Sequence, residues 1–162
     1  MGRSSADRLA QTLGKRGGFD SPEQAAYLAL CRTASELAGP LDALLDEYGL
    51  SQATYNVLRI VRGHGERGLP SQRIAPLMVA RVPDVTRLVD RLCRSGLVSR
   101  VRCAEDRRIV YVRLTSQGSA LLRSLDPKVL DVHRAQFDGV SRKDLSSLLH
   151  MLERVRERAA SV

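Results

Sequence analysis

Residues Asp84 to Leu122 read DVTRLVDRLCRSGLVSRVRCAEDRRIVYVRLTSQGSALL, and within this stretch the apolar pattern changes its period. Its first part has apolar residues at helical spacing, namely Val85, Leu88, Val89 and Leu92. From residue 97 the pattern changes to the alternation typical of half-buried strands, over 97–102 and again over 109–114. A polar turn separates these two segments, so the sequence predicts a helix followed at once by a β-hairpin.

A second short helix is predicted just upstream. Ser71 is a suitable cap for a helix through Met78, a turn follows at 79–81, and Pro83 is expected to open the next helix. Two short helices joined by a tight turn form a helix-turn-helix, and a hairpin directly after it is a wing. The predicted fold class is therefore mainly α (α+β), with a winged helix-turn-helix lobe that binds DNA.

Longer amphipathic segments lie on both sides of this lobe. Ser21 and Pro22 begin a helix that we expect to kink at Gly39-Pro40 and to stop near Gly49. A helix capped by Ser51 follows, and beyond the hairpin the sequence predicts a helix from Thr115, interrupted at 126–127, and a last helix from residue 141. Residues 1–20 contain few apolar residues and are expected to form a flexible basic arm.

The expected organisation follows from this pattern. Residues 21–48 form an N-terminal helix and 119–162 form C-terminal helices, and together these long helices make up a dimerisation region. Residues 49–118 form the DNA-binding lobe.

The charge of the chain favours a polyanionic partner. The formal net charge is +8, and between residues 69 and 118 ten basic residues stand against four acidic ones. Most of the positive excess therefore lies in the predicted lobe, where contacts to phosphate release counterions. Arginine also pairs bidentately with guanine edges, whereas the low aromatic content (4%) argues against a platform that stacks single-stranded bases.

The second short helix is the natural reader of a major groove. Its apolar face is directed to the core, and Thr86 and Arg87 project from its first turn, where a recognition helix meets the base edges. Arg87 is expected to contact a guanine. Ser71 and Gln72, at the start of the preceding helix, are expected to contact phosphate.

The stretch resembles the MarR family of bacterial transcription regulators. It contains TRLVDRL in the second short helix, GLVSR entering the wing, Asp106-Arg107-Arg108 in the wing, and L-T-x-x-G at 114–118. With weaker matching on both sides, the resemblance spans about residues 22–160. It implies a triangular homodimer in which the first and last helices of both chains interlock.

The resemblance also implies roles in the wing, where Asp106 orients Arg108 into the minor groove and Arg107 contacts phosphate. The complete set of expected DNA contacts comprises Ser71, Gln72, Arg73, Arg81, Pro83, Asp84, Thr86, Arg87, Arg91, Arg102, Asp106, Arg107 and Arg108. The segment MVARVPDV before the second short helix is one residue longer than the usual family spacing, which can shift individual base contacts by one position.

The resemblance further implies a small aromatic, often phenolic, effector bound between the dimerisation helices and the DNA lobe. The candidate lining residues are Tyr48, Tyr55, Arg59, Arg62 and Met78. The alternative is that the tyrosines and the methionine belong to the core, which is the more frequent role of such residues.

The three cysteines are the candidates for a redox role. Cys31, Cys93 and Cys103 are widely spaced and form no CxxC pair. Cys31 is expected to be a buried structural thiol, while Cys93 and Cys103 flank the DNA-reading unit. The three histidines are isolated, so neither a metal nor another cofactor is expected.

The expected function is that of a non-enzymatic transcription regulator, because no catalytic motif is present. The resemblance favours repression, with activation left open. Double-stranded DNA and a second copy of the chain are the expected partners. The chain lacks an apolar signal segment and a long apolar run, so we expect a cytoplasmic protein without membrane contact. Two alternatives remain open: a thiol-based redox regulator, and an architectural or protein-interaction module without sequence specificity.

Overall fold

The computed structural model describes residues 3–106 and 108–161. The helices are α1 (Ser5–Thr12), α2 (Pro22–Asp46), α3 (Gln52–Gly63), α4 (Val85–Arg94), α5 (Ser116–Gln136) and α6 (Arg142–Ala159). The strands are β1 (Leu69–Pro70), β2 (Val98–Arg102) and β3 (Val110–Leu114). Two short 3₁₀ helices, Ser71–Arg73 and Ala75–Leu77, lie between β1 and α4. The predicted fold class, mainly helical with a winged helix-turn-helix, is confirmed.

The three strands form one antiparallel sheet in the order β1-β3-β2. Val101 pairs with Tyr111 in the hairpin, and Leu69 pairs with Val112 on the other side of β3. The sequence predicted both strands of the hairpin within one residue, but it did not predict β1. A strand of two residues has no period of its own, and β1 forms only because β3 offers a free edge.

One apolar core holds the lobe together. Its fully buried members come from several elements of the lobe and from the last turn of α2. They are Leu45, Val57, Leu58, Val61, Ile74, Val89, Leu92, Val112, Leu122 and Leu125. By contrast, no described residue of α6 is buried, and Leu45 is the only buried residue of α2. The two long terminal helices therefore extend beyond the core of the chain.

Helix α1 corrects the prediction of a flexible arm over residues 1–20. Ser4 caps it through the backbone N–H of Asp7, and the Asp7 carboxylate accepts the N–H of Ser4 in return. Ala10 is buried. The sequence signal was weak because a helix of two turns needs only one small apolar residue to pack.

Helix α5 also differs from the prediction, because it continues through residues 126–127 with Pro127 inside it. Proline in a helix removes a hydrogen bond and costs about 3 kcal/mol or more. Leu125 and Val129 are both buried on either side of Pro127. We attribute the continuity of the helix to this packing, which offsets the lost hydrogen bond. Helix α2, by contrast, runs through Gly39 and Pro40 without ending, as the sequence predicted.

Candidate nucleic-acid interface

Helix α4 turns one face to the core and the other to solvent. Val89 and Leu92 are 1% exposed and pack in the core, with Val85 and Leu88 half-buried beside them. Thr86, Arg87 and Arg91 are exposed. The amphipathic pattern in the sequence therefore places these three polar side chains on the outer surface of the helix, where a DNA groove is accessible to them.

Asp84 begins this helix, which corrects the expectation that Pro83 opens it. The Asp84 carboxylate accepts the backbone N–H of Arg87 at 3.0 Å, so Asp84 is the N-cap. Its second oxygen lies 3.1 Å from Nε of Arg87, whose side chain is 88% exposed. Pro83 itself is exposed in the preceding loop.

The first element of the helix-turn-helix is less regular than predicted. Pro70, not Ser71, stands at the N-cap, where no side-chain hydrogen bond caps the turn, and the segment forms two 3₁₀ turns instead of one helix. Pro76 explains the break, because a proline there removes a backbone donor. Ser71 is half-buried, whereas Gln72, Arg73 and Arg81 are exposed.

A shallow cavity of about 280 Å³ joins the helix-turn-helix to the wing. Ser71 and Gln72 line it on one side, Asp84 and Thr86 on another, and Arg100 reaches it from β2. Arg100 also forms an ion pair with Asp90 of α4. This contact fixes the wing strand against the recognition helix, and the sequence did not reveal it because the two residues belong to different elements.

The tip of the wing is organised by Asp106. Its carboxylate accepts the backbone N–H of Arg108 at 2.9 Å, and its carbonyl accepts the N–H of Ile109. Among the ion pairs of residues 3–106 and 108–161, none joins Asp106 to the Arg108 guanidinium. Asp106 thus shapes the turn through the backbone, a common role of aspartate. Arg102 and Arg108 are exposed, and Arg107 lies outside the described residues.

Arg91, the remaining arginine expected to contact DNA, is partly engaged within the protein. Its Nη2 donates to the carbonyl oxygen of Gly49, in the turn between α2 and α3, at 3.3 Å. This hydrogen bond connects the last turn of α4 to the end of α2.

The five candidate effector residues do not lie together. Tyr55 and Arg59 line a cavity of about 390 Å³ between α3 and α5. Tyr48 lines a separate groove of about 520 Å³ along α5, and its hydroxyl accepts a hydrogen bond from Lys128. Met78 is half-buried and packs against the core.

The cavity between α3 and α5 contains a charged cluster. The Asp126 carboxylate receives two parallel hydrogen bonds from Arg62, at 2.8 and 2.9 Å, and a third from Arg59 at 3.3 Å. The Arg62 guanidinium lowers the pKa of Asp126, and Asp126 in turn raises the pKa of Arg62. Arg59 also donates to the Tyr55 hydroxyl at 3.1 Å, and His133 lines the far side of the cavity.

Sequence reasoning missed Asp126 and His133. They lie more than 60 residues from α3 along the chain, and no periodicity links them to it. The sequence predicted a helix break at 126–127, and a residue in a break is not expected to face α3.

The three cysteines differ in their exposure to solvent. Cys31 is exposed on α2, which corrects the expectation of a buried thiol: the face of α2 that carries it is not covered within this chain. Cys93 and Cys103 are half-buried. Burial raises the pKa of the Cys93 thiol, which disfavours the reactive thiolate.

No group of three or more His, Cys, Asp or Glu side chains in residues 3–106 and 108–161 has the arrangement of a metal site. Within the same part of the chain, no helix is both long enough and apolar enough to span a bilayer.

Comparison with known proteins places this arrangement among regulators. The sequence model of the MarR family matches residues 50–110. A crystal structure of a MarR transcription factor from Planctomyces limnophilus is 38% identical, with 83% of this chain and 98% of that chain covered and a TM-score of 0.64.

Two other relatives are similar over most of their length. Sco3205, a MarR family regulator from Streptomyces coelicolor crystallised in complex with DNA, is 25% identical, with a TM-score of 0.77 and coverage of 86% of this chain and 89% of that chain. The transcriptional repressor IacR from Pseudomonas putida is 25% identical over 124 residues, which are 76% of this chain and 73% of IacR.

Proposed function

The chain belongs to the MarR family of transcriptional regulators, and from this premise we propose that it is a homodimeric repressor that reads a pseudo-palindromic site in double-stranded DNA. In this proposal residues 49–118 bind DNA, while 21–48 and 119–162 hold the two chains together.

The observation that carries the proposal is the surface made by α4 and the wing. Thr86 and Arg87 are exposed on the first turn of α4, and Arg102 and Arg108 are exposed on the hairpin beside it. A recognition helix in the major groove leaves an adjacent wing over the neighbouring minor groove. Arg108 in that narrow groove would respond to its shape and negative potential.

The free faces of the long helices support a dimer. Apolar side chains of α6 are left in solvent within one chain: Leu149 is 66% exposed, and Met151 and Val155 are each 54% exposed. On α2, Tyr27 and Leu30 are also exposed. A second copy of the chain would cover these residues and would place two recognition helices on one face, as a palindromic site requires.

Two relatives support DNA as the ligand and repression as the regulatory effect. Sco3205 was crystallised in complex with DNA, and IacR is described as a repressor. We extend both properties to this chain.

An effector site between α3 and α5 is part of the proposal. The cavity is lined by the Tyr55 ring, by Arg59 and by the Asp126 carboxylate that Arg59 contacts, and this mixed lining suits a small phenolic or other aromatic molecule. The cavity lies between the DNA lobe and a dimerisation helix, so a ligand that binds one arrangement of the lobes better than another would shift the population of dimers able to bind DNA.

Selection of bound duplexes from a random DNA library, with the purified chain at near-physiological salt, tests the proposal. We expect an inverted repeat with half-sites about 10 base pairs apart, the spacing of two recognition helices on one face of the duplex. Salt-sensitive binding without a recovered motif would reject sequence-specific regulation and leave binding through phosphate alone.

A further inference from the structure

Resting on the proposed function, we propose that Asp84 is a positioning residue that holds the Arg87 guanidinium ready to read one guanine, so that Asp84 contributes to base specificity without contacting DNA. The sequence places Asp84 among the expected DNA contacts, and the geometry at the start of α4 points instead to this indirect role.

The two oxygens of Asp84 make two different contacts with one residue. Oδ1 accepts the backbone N–H of Arg87 at 3.0 Å and so caps the helix. Oδ2 lies 3.1 Å from Nε of the same arginine. The backbone and the side chain of Arg87 are therefore both tied to one carboxylate, which restricts the directions that the guanidinium can take.

The contact through Nε leaves the terminal nitrogens of the guanidinium available to a base. Recognition of guanine requires two parallel donors directed at O6 and N7, and the Nη1 and Nη2 atoms supply such a pair. No hydrogen bond among the described residues uses Nη1 or Nη2 of Arg87, and its contact with Asp84 is made through Nε. The side chain remains 88% exposed although it is ion-paired.

The neighbouring arginines are engaged differently. Nη2 of Arg91 donates to the Gly49 carbonyl, and Nη1 of Arg100 contacts Asp90. In both cases the protein itself uses one of the terminal nitrogens. Of these three arginines, Arg87 is the one that contacts the protein through Nε and keeps its terminal nitrogens free of hydrogen bonds.

The expected effect lies in binding specificity rather than in stability. An exposed ion pair between neighbouring helical residues contributes little to folding. However, a flexible arginine loses conformational freedom when it docks on a base, and a side chain that is already ordered loses less. Removal of the Asp84 charge should therefore weaken the guanine contact and leave the remaining contacts unchanged.

The test uses variants that retain the helix cap. Serine and asparagine are good N-cap residues, so Asp84→Ser and Asp84→Asn keep the bond to the Arg87 backbone and remove the ion pair. Binding is measured by fluorescence anisotropy on the duplex that the wild-type chain selects. It is also measured on duplexes in which the base pair that loses its preference in Arg87→Ala is replaced.

We expect both Asp84 variants to lose roughly 2- to 10-fold of the discrimination between the selected and the replaced duplexes, the size that follows from the cost of ordering one long side chain. Affinity for the replaced duplexes should not change. In the double variant, Asp84→Ser should add nothing to Arg87→Ala, because the carboxylate acts through that arginine.

Asp131→Ser is the matched control. Asp131 and Arg134 form an exposed ion pair of the same spacing on α5, with 3.3 Å between Oδ1 and Nη1, and this variant should discriminate as the wild type does. Three results would overturn the inference: unchanged discrimination by the Asp84 variants, an equal loss of affinity on every duplex, or tighter binding to all of them. A wild-type chain that selects no motif would reject the proposed function as well.

Discussion

Gly118 is the residue on which the junction between the wing and α5 depends. A Cβ atom at this position would lie 2.1 Å from the carbonyl oxygen of Leu97. Thr115 completes the junction, because its hydroxyl donates to the Gly96 carbonyl at 2.7 Å and accepts the Gly118 N–H at 3.0 Å. The L-T-x-x-G motif therefore allows the start of α5 to pack closely against the backbone that precedes β2.

Gly118→Ala should lower the free energy of unfolding by about 1–3 kcal/mol, the usual cost of overpacking a close contact. Urea denaturation at a fixed protein concentration measures this loss, since the stability of a dimer depends on concentration. Gly63→Ala is the control: its new Cβ would meet nothing within 4 Å, so we expect no loss. Equal stability of Gly118→Ala and the wild type would contradict this account of the motif.

Arg108 is the single residue through which the proposed wing contact with DNA is tested. It is exposed at the tip of the wing, in a turn that Asp106 stabilises through the backbone. Arg108→Ala should weaken binding to all duplexes similarly and reduce the log–log salt slope by roughly one unit. Anisotropy titrations over a series of salt concentrations give the slope. Arg123→Ala, exposed on α5, should leave the slope unchanged, and an unchanged slope in Arg108→Ala would remove the wing from the interface.

Among the elements, helix α3 packs against both α2 and α5, and its contact with α5 contains a cluster of charged side chains. Asp126 accepts two hydrogen bonds from Arg62 and one from Arg59, with its side chain 38% exposed. Because Arg62 lowers the pKa of Asp126 below 3.8 in the folded chain, this carboxylate stabilises the fold above that pH. The contribution is lost as the pH falls through the lower, folded-state pKa.

Asp126→Asn should therefore reduce stability at neutral pH by no more than about 1 kcal/mol, as the pair is partly exposed. The difference from the wild type should shrink when the pH falls below 3.8. Thermal unfolding at several pH values measures both effects. Asp131→Asn, in a more exposed pair, should change stability less at every pH; an Asp126→Asn difference that grew in acid would contradict the ion-pair account.

The sequence predicted features that lie within one element and missed features that join two elements. Periodicity within one element predicted α4 and the hairpin, because their apolar faces are written into consecutive residues. Features that depend on another element were missed: the strand β1 needs the edge of β3, Asp126 needs α3, and Arg100 finds its partner Asp90 across the sheet–helix boundary. The predicted break at Pro127 failed for the same reason, since buried neighbours keep α5 intact.

At the scale of the whole molecule, the exposed apolar face of α6 is the strongest indication of a partner chain. Leu149 is 66% exposed, so Leu149→Glu should leave the fold of one chain intact and disrupt the dimer. Sedimentation equilibrium should give the mass of one chain for this variant and of two for the wild type. His150→Glu, on the polar face of the same helix with Glu153 and Arg154, should remain dimeric. A Leu149→Glu chain that is still dimeric would exclude this face from the interface.

In the proposed function α4 of each chain reads base pairs through Arg87, and a paired selection measures this reading. The wild-type chain and Arg87→Ala are applied to the same random duplex library. We predict an inverted repeat with half-sites about 10 base pairs apart from both, with the preference at one base pair per half-site lost in the variant. The same motif with equal preference at every position, or no motif from either chain, would contradict the account.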